Sequence, residues 1–167
     1  MSTDQTMAEV LPRIKTAIFR VQEAISALPG DLATKPLLAG ERSVRDVIVH
    51  LTWWDQWLLT TLPPLPGAEP LPFELPLADQ IPPGDQWAEE MNAKVLRYSH
   101  ARDFSAAWSE LQVTCALLID RVSRLTDADM REPSAISAQI GYPLAPLITG
   151  IYEHYEEHAE EIEQIGK

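Results

Sequence analysis

Eight of the 14 prolines in this 167-residue chain fall between residues 63 and 84. So dense a run cannot continue a helix, because each proline removes a backbone donor and crowds the preceding turn, and it cannot sit inside a sheet. On both sides of it, apolar residues recur in steps of three and four, the period of a helix that buries one face. The chain is therefore expected to be all-α, a four-helix bundle with one connection too long for a turn. Such a segment either travels the length of the bundle or forms a lid over a site. The crossover is the favoured reading, with an edge lining the pocket.

The first helix is expected over about residues 5–28, with Met7, Leu11, Ile14, Ile18, Val21, Ile25 and Leu28 inward and Pro29-Gly30 as its stop. Pro12 lies inside this pattern and should kink the helix or mark its true start. The second, about 43–62, opens at Ser43, a good N-cap, and carries Val47, Ile48, Leu51, Trp54, Leu58 and Leu62. After the crossover at 63–84, a short extra helix over about 85–98 turns Trp87, Met91, Val95 and Tyr98 inward. The third long helix, about 104–125, reads Phe104, Trp108, Leu111, Cys115, Leu118, Val122 and Leu125. Thr126-Asp127 and Pro133 punctuate the next turn. The last helix, about 143–165, reads Leu144, Leu147, Ile151, His154, His158, Ile162 and Ile165. Residues 1–167 are expected to form one domain, long enough to bury a core without disulfides.

Composition narrows the function. A net charge of -12 opposes nucleic acid, whose binding rests on phosphate neutralisation, and an anionic membrane surface for the same reason. No run approaches the roughly 18 apolar residues of a spanning helix. The single cysteine and the lack of a signal-like start give the expectation of a reducing, cytoplasmic setting. Cys115 falls mid-stripe and reads as core rather than nucleophile. Glu153, Glu156, Glu157, Glu160, Glu161 and Glu163 read mainly as the solvated flanks of the last helix, leaving room for one or two to act near the histidines.

His154 and His158 stand four apart, so they share one helix face at a spacing that can grip one ion. Both occupy places on the inner stripe that Leu or Ile would otherwise fill, and burying them without partners costs free energy. His50, on an independently apolar helix, would complete a three-nitrogen site with open metal positions, which suits catalysis. His100 sits in the helix break and reads as a surface residue. Residues 154–158 also fit the inverted zinc-protease pattern H-x-x-E-H, but the chain offers no strand to hold a peptide. Glu157, one turn from His154, is kept as a candidate proton-transfer residue. Trp54 and Trp57 follow His50 by four and seven residues and, with Trp87, are candidates for the apolar wall of a small-molecule pocket. Core packing is the plainer reading of the tryptophans.

The segment ERSVRDVIVHLTWWDQWLL resembles the W-S-V-K-D-V-L-A-H-L-x-x-W signature of DinB-like (DinB/YfiT-type) proteins, and YPLAPLITGIYEHYEEHAEEIEQI resembles their last helix with its H-x-x-x-H pair. The restart at DFSAAWSEL after a polar turn is similar to the ClbS/DfsB family. Arg42 stands where such proteins usually carry tryptophan. The resemblance implies a four-helix bundle with a long second connection, commonly a homodimer, and a divalent-metal triad at His50, His154 and His158, typically nickel or zinc. It implies enzymes that act on small molecules, either with a low-molecular-weight thiol or as self-protecting hydrolases. Two other readings stay open: a protein that sequesters a small molecule without turnover, and a dimeric scaffold whose histidines are hydrogen-bonded core residues.

Overall fold

A computed structural model describes residues 5–64, 66, 67, 69–83 and 87–165. Among them are seven α-helices and no strand: α1 (Met7–Ser26), α2 (Val44–Thr61), α3 (Trp87–Ser99), α4 (Phe104–Ser123), α5 (Asp127–Met130), α6 (Ala135–Ile140) and α7 (Leu144–Glu163). The four long helices pack in a ring, α1 on α7, α7 on α2, α2 on α4 and α4 on α1, and α3 leans on α2. None of the helices among the described residues is long and apolar enough to cross a membrane.

The apolar stripes end up where their spacing points. Val10, Ile14, Val21, Leu111, Leu118 and Val122 are wholly enclosed, while Phe104, Trp108 and Leu125 at the ends of their stripe are only partly covered. The onset of α3 expected at residue 85 lies outside the described residues. Pro12 neither starts nor interrupts α1. Thr6 caps the helix well upstream, with Glu9 closing a capping box, and Pro12 and Ala8 both face solvent, so the carbonyl that proline deprives of a donor can turn to water. Helix α2 starts on a similar box between Ser43 and Asp46. Ser99 at the end of α3 donates to the same Asp46 carboxylate at 2.6 Å, which pins α3 to the start of α2.

Spacing alone gave no sign of α5 and α6. Each is too short to show an apolar period, but each begins on a capped hydroxyl, Thr126 and Ser134. The Glu132 carboxylate between them accepts from the Leu144 N–H at 2.7 Å, placing negative charge at the N-terminus of α7.

The proline-rich crossover lies against the bundle through Phe73, Leu75, Leu77 and Ile81. The Trp53 indole, almost fully buried, donates to the Pro76 carbonyl at 2.7 Å. No described residue of 63–83 borders the large cavity beside the histidines, so the expected lining edge is not there. Tyr142, Pro146 and Trp87 are among the residues that line that cavity.

Candidate metal centre

His50 on α2 and His154 and His158 on α7 meet where those two helices face each other. His50 Nε2 lies 2.8 Å from His154 Nε2, and His158 Nε2 lies 3.2 Å from the same atom. With metal–nitrogen bonds of about 2.0–2.1 Å, donors at 90–110° around one ion sit about 2.9–3.4 Å apart. The 3.2 Å edge falls within that range and the 2.8 Å edge just below it, and the three donor atoms all fall within 4.8 Å of one another. The three imidazoles can therefore hold one metal ion. Burial, followed by the neighbouring imidazoles, pushes His50 down to about 2. Burial and then His158 push His154 down to about 3. Both rings are neutral at physiological pH, the form in which imidazole binds a metal.

His158 is the deepest of the three, at 4% exposed. Its Nδ1 lies 2.8 Å from Glu161 Oε2, and the carboxylate accepts a proton only if that ring nitrogen carries it. The Nε2 lone pair is then free to face the ion. Arg42 Nη2 in turn donates to Glu161 Oε1 at 2.7 Å, while its Nε donates to the Ala39 carbonyl. The residue that departs from the family signature thus fixes the carboxylate that fixes a histidine. Glu157 is exposed on the rim of the cavity, and the carboxylate that bonds a histidine is Glu161.

A cavity of about 580 Å3 opens beside the three rings. Trp54, Trp57 and Trp87 all border it, with ring centroids 5.1–5.6 Å apart, and Trp54 stands edge-on to His50 at 6.4 Å. Leu58, Leu147 and Ile151 continue the apolar wall, and Asn92 holds the Trp54 indole at 2.9 Å. Trp53, by contrast, is core.

Spacing missed a polar junction in the wall and core. Asp55 is buried, and its Oδ2 accepts from the Tyr155 phenol at 2.6 Å; Cys115 Sγ lies 3.2 Å from the same phenol. Burial drives the Cys115 thiol up to about 12, with the Asp55 charge adding to the effect, so it is a core residue as expected and no nucleophile. The signal for Asp55 was present, since Ile48, Leu51, Asp55, Leu58 and Leu62 form an unbroken three–four stripe. The expected stripe runs through Trp54 in place of Asp55, and Trp54 instead lines the cavity, half-buried. Helix α7 likewise carries a second stripe of Ile148, Tyr152, Tyr155, Ala159 and Ile162, all buried, so the histidines flank the deepest line rather than occupy it.

A sequence model of the DinB superfamily matches residues 6–162. The chain belongs to the DinB superfamily. Among solved structures, this DinB-type fold is similar to an uncharacterised protein from Escherichia coli UTI89, at a TM-score of 0.66 and 17% identity, covering 95% of this chain and 91% of that one. It is also similar to the colibactin self-resistance protein ClbS, solved in complex with a double-stranded DNA, at a TM-score of 0.63 and 13% identity, covering 96% and 95%. No curated protein matches the chain.

Proposed function

We propose that this DinB-superfamily chain is a single-domain four-helix bundle and a divalent-metal-dependent enzyme that acts on a small electrophilic molecule, as a hydrolase or a thiol-dependent transferase, in detoxification or self-protection. The observation that carries the reading is the convergence of three Nε2 atoms on the wall of an aromatic cavity large enough for a small substrate. Nickel or zinc suits three imidazoles. His50, His154 and His158 would hold the ion, which when bound would supply the Lewis acidity needed for a water or a low-molecular-weight thiol to act as nucleophile near neutral pH.

The chain's own residues do the rest. Trp54, Trp57 and Trp87 bind the apolar body of the substrate and exclude water. Arg42 and Glu161 hold His158 in one tautomer and orientation. Glu157, at the rim, passes a proton between the cavity and solvent. The protein works as a cytoplasmic homodimer. Its net charge of -12 argues against a nucleic-acid partner, whatever the ClbS complex shows of that protein.

One observation favours a second reading, a protein that sequesters its ligand without turnover: one N–H shared between His50 Nε2 and His154 Nε2 at 2.8 Å pairs those two rings without an ion. Elemental analysis of untagged protein beside the His154→Ala variant separates the two. About one equivalent of metal in the parent, lost together with turnover in the variant, supports the enzyme. Stoichiometric protection without turnover, unchanged by the substitution, supports sequestration.

A further inference from the structure

Asp55 differs from every other acid around the cavity. Glu157 is exposed and Glu161 is paired with Arg42, but Asp55 is 4% exposed and forms no ion pair among the described residues. The Tyr155 phenol from α7 bonds it, with Cys115 from α4 behind that phenol, and the titratable and charged groups that line the same cavity are His154, His158 and Glu157 from α7, His50 from its own helix, and Arg42 and Tyr142. Its Oδ2 takes the Tyr155 hydrogen bond. Its Oδ1 takes no hydrogen bond from the described residues, and Asp55 lines the cavity that holds the three imidazoles.

Imidazole ligands bring no charge to a divalent ion, and the Arg42–Glu161 pair is already balanced. A doubly positive centre in a low-dielectric site requires a compensating anion. Asp55 stands outside the cluster of donor atoms that the three histidines form, so it acts through its field rather than as a ligand.

We propose that Asp55 is the internal counter-charge of the metal centre, a carboxylic acid in the metal-free protein that gives up its proton when a divalent ion loads. The inference rests on the metal reading above. One ion enters, one proton passes from Oδ1 to the buffer, the Tyr155 hydroxyl goes on donating to Oδ2, and the net charge of the site rises by one instead of two. The environment supports this, because burial pushes the Asp55 carboxyl up to about 7, the Tyr155 hydrogen bond reversing only part of the rise.

Titration calorimetry with zinc chloride on untagged, metal-free protein tests the assignment, run at pH 6 and pH 8 in two buffers of different ionisation enthalpy. At pH 6 the parent should release about one proton more per zinc than Asp55→Asn, and the difference should vanish towards pH 8. At pH 8 the variant should bind zinc about tenfold more weakly. Tyr155→Phe serves as the second variant should Asp55→Asn fail to fold. With the hydrogen bond that lowers Asp55 gone, its extra proton release should persist at pH 8. Equal proton counts and equal affinity in parent and Asp55→Asn, with zinc binding abolished in His154→Ala, would overturn the counter-charge while leaving the metal centre standing. No binding of zinc or nickel by the parent overturns both.

Discussion

Arg42 grips Glu161 at 2.7 Å across the seam between the start of α2 and the end of α7, and the other oxygen of that carboxylate reaches His158 Nδ1 at 2.8 Å. The chain of contacts ties a metal-facing nitrogen to a guanidinium 116 positions away in sequence (158 − 42). Glu161→Ala frees the His158 ring to rotate and change tautomer, so zinc affinity should fall about 10- to 100-fold with helicity unchanged. Arg42→Ala should reproduce part of the loss. Undiminished affinity in both, measured by competition with a chromogenic chelator, would show that packing alone orients His158.

Trp54 stands 6.4 Å from His50, with Trp57 and Trp87 in contact behind it. Paramagnetic nickel or copper at the three imidazoles should therefore quench a large part of the intrinsic fluorescence, and Trp54→Phe should remove most of that quenching while leaving the metal stoichiometry at one. Equal fractional quenching in parent and variant would place the ion elsewhere.

Asp46 receives hydrogen bonds from Ser99 and Ser43 at the α2–α3 junction. Burial pulls its carboxyl upward, but these hydrogen bonds and Arg45 outweigh it, and the net shift is downward. A folded acid depressed below its unfolded value gives stability that is fully present above about pH 4 and is lost as pH falls through the folded value. Asp46→Asn should lose about 1–3 kcal/mol at pH 7 in urea denaturation and show a shallower decline on acidification.

Asp55 works with the opposite sign. Its folded value near 7 exceeds the unfolded 3.8, so the folded state binds more protons between those limits and the metal-free protein loses stability as pH rises from about 4 to 7. Asp55→Asn should flatten that slope. Urea midpoints collected at pH 4.5, 5.5, 6.5 and 7.5 read the effect directly, and parallel curves for the two proteins would contradict it.

Cys115, enclosed against Tyr155 and driven up to about 12, should resist thiol reagents in the native state and react within the dead time of unfolding in guanidinium. Fast native labelling with a disulfide dye would mean that the junction opens readily.

Most of the helices could be read from the chain because burial imposes the three–four period on them: Ile14, Val21, Leu111 and Leu118 had no other place to go. The histidines were readable for the same reason, as polar residues in an apolar rhythm. Asp55 meets that criterion equally well, but its bulky neighbour Trp54 competes for the same register and a lone carboxylate ordinarily faces solvent. Glu161 was hidden among the glutamates of α7, and no periodicity distinguishes the one that meets an imidazole from those that meet water. Helices α5 and α6 hold too few turns to repeat anything. Their hydroxyl caps were the available sign, and such caps also open plain turns.

The bond from the Trp53 indole to the Pro76 carbonyl divides the crossover into two unequal arms. Neither arm borders the histidine cavity among the described residues; the upstream arm meets the bundle at Phe73 and Leu75, and the downstream arm at Leu77 and Ile81 on the way to Trp87, which does line the cavity. Insertions and deletions should therefore accumulate most freely between Pro64 and Pro72, where the described residues are exposed, and be purged from Phe73 onward, where the crossover packs on the bundle. Relatives that drift in length at this connection can keep the same chemistry, and an engineer who wants to graft a loop, a tag or a second domain onto this scaffold has a permissive place to do so.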